Sequence, residues 1–235
     1  MAIKSYLAMT AAEFESASNL PVSIAWMACH FSPYATGLSN IPRTLPDESL
    51  IILNDITPIH KHDPKAICAE LKECAESLHC SAVLLDFQRL PNPELYELSK
   101  ILVRALPCPV VLPELLAVYL DSPVFLPPCP LYMPLQDHIR KWKDRDIWLE
   151  IAHNTNIIVV NEKGTVFSSE KNSMPKAKSF TDGTLHCHYT VNTTLHDATF
   201  HLWRTKEDYE AFLQYAELLG IHHTVGLYQE FQNDL

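Results

Sequence analysis

An α/β fold, a compact irregular (β/α)8-type barrel, is what this sequence predicts, from three observations. Eight apolar runs of strand length recur along 235 residues, and most of them end abruptly in an acid or an amide. Capped amphipathic segments alternate with the central runs, as expected of a parallel sheet covered by helices. After the seventh run the pattern changes to alternating strands, a small antiparallel insertion over about 156–203. The length suits one barrel, and 1–235 reads as a single domain.

The elements follow in order. Ser5–Met9 is the first strand, and Thr10 with Glu13 is a capping-box pattern for a short helix. Val22–Cys29 is the second strand. His30–Glu48 is a long loop pinned by Pro33, Pro42 and Pro46, and ordered loops of that length are often functional. Leu50–Leu53 is the third strand, leading into Asn54 and Asp55. Asp63-Pro64 opens a helix with the stripe Ile67, Leu71, Cys74, Leu78. Val83–Phe87 is the fourth strand, and Asn92-Pro93 repeats the helix-opening device above Leu95, Leu98, Leu102 and Leu106. Pro109–Leu112, Val124–Leu126 and Ile147–Leu149 are strands five to seven, ending near Glu114, at Pro127 and at Glu150. Leu135, Ile139 and Trp142 mark a helix between the last two. Asn161–Gly164 between two alternating runs is a hairpin signal; residues 169–184 read as loose, and Leu185–Val191 and Ala198–Trp203 as two more strands. Thr205 with Asp208 caps the final helix, Gly220 terminates it, and Thr224–Tyr228 is the eighth strand, before Gln229 and Glu230.

The totals exclude several classes. Net charge is −10 with no basic cluster interleaved with aromatics, so no nucleic-acid partner is expected. No window is apolar for long enough to cross a bilayer, so no membrane partner is expected either. The N-terminus shows no basic leader before an apolar segment, and the seven cysteines include no CxxC pair. Both features point to a cytoplasmic protein with reduced, buried thiols. Five glycines against 17 prolines leave no Gly-rich phosphate loop, and no cofactor is expected. The sequence carries no signal for the oligomeric state.

The layout resembles the family-18 glycoside hydrolases, the chitinase-like barrels. That family ends strand four in Asp-Gly-x-Asp-x-Asp-x-Glu, with the Glu as general acid. The aligned residues here run from Ser81 to Gln88, so the last Asp is kept as Asp86 and the acid position holds Gln88. The run from Arg204 through Leu219 to Gln229 is similar to the family's last helix and strand, which follow an α+β insertion after strand seven. The resemblance implies a carbohydrate or other small-molecule ligand and a glycosidase-type site. An amide cannot donate a proton as a carboxylic acid does, so Gln88 leaves open both an inactive barrel and one whose acid comes from another strand.

Barrel active sites lie at the C-terminal strand ends, which here present Asp55, Asp86, Glu114, Glu150 and Glu230. Asp86, Glu150 and Glu230 are the catalytic candidates. Asp86 would orient or polarise, and Glu150 or Glu230 would supply the missing acid or base. His30, Tyr34, Asn54, Asp55, Gln88, Glu114 and Gln229 are the substrate-binding candidates. The alternative reading has the acids capping helices, binding backbone N–H groups, or pairing with Arg43, Arg89 and Arg204. A non-enzymatic interaction or structural protein that kept the barrel is the alternative function. A metal-dependent hydrolase using His60 and His62 is a third, although that pair lacks the further ligands such sites need, and no metal is expected. His186 and His188 read as an exposed strand face, and His222-His223 as structural.

Overall fold

The computed structural model describes residues 3–34, 36–59, 62–90, 92–171 and 178–232. Eight parallel strands close into a barrel: β1 (Lys4–Met9), β2 (Ile24–Phe31), β4 (Leu50–Asn54), β5 (Ala82–Asp86), β6 (Val110–Pro113), β7 (Val124–Leu126), β8 (Ile147–Ile151) and β14 (His223–Leu227). Each pairs with its neighbour in chain order, and β1 closes the ring on both β2 and β14. A two-residue strand β3 (Leu38–Ser39) lies antiparallel on the end of β2. The expected barrel and the insertion after its seventh strand are both present.

Side-chain alternation divides each strand between two cores. Tyr6, Ala8, Leu50, Ile52, Ala82, Leu84, Trp148 and Val225 fill the barrel interior. Leu7, Ile51, Leu53, Val83, Leu85 and Leu149 face outward under the helices. The strands therefore read as continuous apolar runs because both faces are buried.

The covering helices form where their caps are. In α2 (Pro64–Ser77) the Asp63 side chain accepts the Lys65 N–H at 3.0 Å, and Ile67, Cys68, Leu71, Cys74 and Ala75 are buried. In α3 (Pro93–Ala105) Asn92 accepts the Leu95 N–H at 2.8 Å above Leu95, Leu98 and Leu102. The short helices α1 (Ala11–Ser16), α4 (Glu114–Ala117) and α5 (Leu135–Ile139), the last followed by a 3-10 turn through Trp142, replace full-length ones. In α6 (Lys206–Leu218) Thr205 and Asp208 form the reciprocal capping box, and Gly220 follows with φ +85°. Helix α7 (Tyr228–Phe231) turns the chain inward directly after β14. Gly226 permits this, because a Cβ there would lie 2.8 Å from the Phe231 ring and 2.9 Å from Ile151.

The insertion is a five-stranded antiparallel sheet: β9 (Asn154–Asn161), β10 (Gly164–Lys171), β11 (Phe180–Asp182), β12 (Cys187–Thr193) and β13 (Asp197–Trp203). Its order is β10-β9-β13-β12-β11, and Cys187 and Leu202 pack on Leu131. Of the stretch 169–184 expected to be loose, residues 172–177 lie outside the described residues, and the rest includes the end of β10 and all of β11. His188 is not on an exposed face: its Nδ1 is 2.6 Å from Asp208 in the first turn of α6.

The N-terminal end of the barrel is closed by aromatics. Trp148 stacks on His223 with centroids 4.1 Å apart and on Tyr6 at 5.6 Å. Burial holds the His223 imidazole below its usual range; Asp146 opposes this, while His222 and Lys4 add to it. The folded state therefore keeps the ring neutral, while the unfolded chain takes up a proton near pH 6.5. Stability is present above that pH and is lost as pH falls through the range below it. His223→Phe keeps the stacking and is expected to flatten the acid limb of the stability curve between pH 7 and 5, read by urea denaturation.

Candidate functional site

Three inward-facing polar residues stand at the C-terminal mouth: Asn54 and Asp86 end β4 and β5, and Glu150 is the penultimate residue of β8. Each continues an inward alternation, Ile52-x-Asn54, Leu84-x-Asp86 and Trp148-x-Glu150. Asp86, Gln88 and Glu150 line one small axial cavity of about 90 Å3 with Met27, Phe125 and Leu227. Glu150 also lines a second, larger cavity of about 340 Å3, which runs outward between the β7–α5 segment at Pro128–Tyr132, the inserted sheet and α6. It is shared by the two cavities.

The electrostatics at the mouth separate the acids. Burial, then the negative charges of Asp86 and Glu230, push the Glu150 carboxyl up to about 7. Asp86 is also raised by burial, but the Gln88 amide donates to its Oδ1 and works against that shift, while Asp55 adds to it. Two carboxylates crowded into one apolar mouth do not both ionise easily, and the better hydrogen-bonded one keeps the charge. Of the two, Glu150 is the acid that burial and its neighbours bring to about 7, while the Gln88 amide opposes the rise at Asp86.

The other candidate residues hold the mouth in shape. Asp55 is 1% exposed and receives the Gln88 N–H at 2.8 Å and the Arg89 N–H at 3.1 Å. Arg89 Nε returns a bond to the Asp55 carbonyl at 2.9 Å. Asp55 therefore sets where Gln88 sits, and Gln88 sets Asp86. Asn54 donates to the Met27 carbonyl at 3.1 Å and accepts the Ile56 N–H at 3.2 Å. It thereby stabilises an irregularity in β2, whose register against β4 shifts between Trp26 and Cys29. His30 Nδ1 donates to the Ala28 carbonyl in the same bulge at 3.0 Å. Glu230, on α7, accepts the His153 N–H at 2.9 Å; it lends charge to Glu150 without lining either cavity.

Glu114 accepts from Trp142 Nε1 at 2.9 Å outside the cavities, and Gln229 reaches Glu13 on α1. Tyr34 is 97% exposed in the long loop. That loop is fastened away from the mouth: Glu70 on α2 accepts the Leu38 N–H at 2.8 Å, and Trp26 Nε1 donates to the Asn40 carbonyl at 2.8 Å. His60 lies outside the described residues, and the His62 ring nitrogens are 2.8 Å and 3.1 Å from the Ile59 and Ser32 carbonyls. Among the described residues no group of three or more His, Cys, Asp or Glu could hold a metal ion. The cysteines are unpaired and buried or half-buried, with burial pushing Cys29, Cys80 and Cys187 up to about 12, so they are not thiolate nucleophiles.

Sequence reasoning did not anticipate the larger cavity or its lining by Asn156, Arg204 and Tyr209. One signal was available: Arg204 lies between an apolar strand and a helix cap, where a cation is forced to the edge of the core.

No protein-family model and no curated protein sequence matches the chain. Solved structures do. The spore cortex-lytic enzyme SleL of Bacillus cereus superposes with a TM-score of 0.60 at 8% identity, over 96% of this chain and 70% of that one. The chitinase-like agglutinin of Robinia pseudoacacia gives 0.59 at 11% identity over 94% of this chain and 93% of that one. A family-18 chitinase variant from Cycas revoluta in complex with (GlcNAc)4 gives 0.57 at 11% identity over 94% of each. The fold is that of the family-18 barrels. In this family-18-like barrel, the strand that carries Asp86 ends at that residue, Gln88 stands two positions beyond it, and the carboxyl with a raised pKa stands across the mouth on β8.

Proposed function

We propose that this barrel is a carbohydrate-active hydrolase in which Glu150 supplies the proton that Gln88 cannot. The observation that carries this reading is the Glu150 carboxyl. It is held near pH 7 by burial and by two neighbouring acids, and it stands where the axial and outer cavities meet. A saccharide threaded from the outer cavity into the mouth would place a glycosidic oxygen against it. Protonated Glu150 donates to that oxygen as the C–O bond breaks, and the Asp86 carboxylate, fixed by the Gln88 amide, stabilises the positive charge that develops at the anomeric carbon. Water completes the bond at that carbon, and its released proton restores Glu150. The fold shared with proteins named for chitin chemistry supports a saccharide as ligand, and seven unpaired thiols support the cytoplasm as location.

The test is reducing-end release from chitooligosaccharides and other oligosaccharides by the wild type and by Glu150→Gln. Activity that disappears in the variant supports the reading. Saccharide binding without turnover in the wild type overturns it in favour of a second reading, a binding barrel without catalysis. That second reading is favoured by Gln88 at the family's acid position and by the likeness to an agglutinin.

A further inference from the structure

The larger cavity contains a cation without a counter-ion. Arg204 ends the strand run of β13, is 7% exposed and lines the cavity. Its Nε donates to the His186 carbonyl at 3.0 Å and its Nη2 to the Leu185 carbonyl at 3.2 Å. The guanidinium lies 3.9 Å from the centre of the Phe212 ring, so its plane is fixed on one face. Among the described residues Nη1 has no hydrogen-bond partner and no carboxylate forms an ion pair with Arg204. The nearby Asp208 is engaged instead by the Thr205 N–H at 2.9 Å and by His188 at 2.6 Å.

A guanidinium stays charged at any accessible pH, and burying it unpaired is costly. Carbonyl contacts that hold a buried guanidinium in a cavity wall without a carboxylate partner are the arrangement of a binding group rather than of a structural ion pair. Asn156 adds to it. Only 8% exposed, it lines the same cavity, and its Oδ1 is occupied by the Leu131 N–H at 2.7 Å. That bond engages Oδ1 and leaves the Nδ2 donors of a cavity-lining residue available. Tyr132, Phe167 and Tyr209 supply the apolar walls. The volume of about 340 Å3 falls within the roughly 300–1,000 Å3 of ordinary ligand sites.

We infer that the Arg204–Asn156 end of this cavity is a subsite for a sugar carboxylate, so that the glycan it takes is acidic. This rests on the hydrolase reading for the chemistry at Glu150, but the anion subsite itself does not require turnover. Two sources of the carboxylate fit the donors equally, a uronic acid and a lactyl-substituted amino sugar.

The experiment is an NMR titration of the whole chain with four probes: glucuronic acid and N-acetylmuramic acid, and their neutral counterparts glucose and N-acetylglucosamine. At least one acidic sugar is expected to bind tenfold or more tighter than its neutral counterpart, and which one does so identifies the source. Asn156→Asp keeps the Leu131 contact but replaces the free donors with an acceptor, and is expected to erase the preference. Arg204→Met, checked for folding by circular dichroism, is expected to do the same. Equal binding of acidic and neutral sugars by the wild type overturns the subsite, as does a preference that survives Asn156→Asp. An acid preference with no hydrolysis of any glycan keeps the subsite and removes the hydrolase. Hydrolysis of neutral oligosaccharides with no acid preference does the reverse.

Discussion

Glu150→Gln is expected to lower glycan turnover by about 10²–10⁴-fold, the usual contribution of a positioned general acid, while leaving saccharide binding in place. The same substitution is expected to stabilise the protein at alkaline pH. The folded Glu150 carboxyl is raised to about 7 from an ordinary 4.5. A raised carboxyl contributes its full stability below its unfolded value, and that stability is lost as pH rises through the folded value. Glutamine cannot ionise and escapes this loss. The difference corresponds to roughly 3 kcal/mol above pH 8, which would raise the melting temperature by about 5–10 °C. At pH 4.5 the two proteins should melt together. A melting difference that does not change between pH 4.5 and pH 8 would show that the carboxyl is not destabilised in the fold.

The second large effect is expected at Asp55, by a different mechanism. Asp55→Ala removes the acceptor for two backbone N–H groups, those of Gln88 and Arg89, in a place from which water is nearly excluded. Each unsatisfied buried donor costs about 1–3 kcal/mol, so a loss of about 2–5 kcal/mol in urea denaturation is expected. Asp55→Asn retains one acceptor oxygen and should fall between. The consequence reaches the site. With residues 88–89 released, the Gln88 amide no longer holds Asp86, and turnover should fall further than the loss of folded protein accounts for. Unchanged stability in Asp55→Ala would mean that the mouth is organised by something other than this carboxylate.

Much of the architecture was legible because strands and caps are written locally. Asp63-Pro64, Asn92-Pro93 and Thr205 with Asp208 each opened a helix where their side chains could reach a free backbone N–H. The apolar runs gave all eight barrel strands because each is buried on both faces. At the mouth the same alternation placed Asp86 and Glu150 inward. What it could not show was which of the other strand-end groups turn away. Asp55 follows Asn54 and therefore faces the opposite side, where it finds the 88–89 backbone. Asn54 is absorbed by a register shift in β2, and a one-residue shift leaves no mark in composition. Gln229 and Glu230 fall in a helix of one turn, allowed by the close approach at Gly226, so their directions could not be taken from strand parity. The larger cavity is made by elements distant in the chain, from Pro128 to Phe212, and only the closed fold brings Arg204 beside it.

The protonation of Glu150 at neutral pH is the claim on which the acid role depends. Its most direct measurement is a carbon-detected NMR titration of the side-chain carboxyl resonances, with the Glu150 signal assigned by its absence in Glu150→Gln. A midpoint near 7 is the predicted result. A Glu150 midpoint in the ordinary glutamate range of about 4–5 would contradict it.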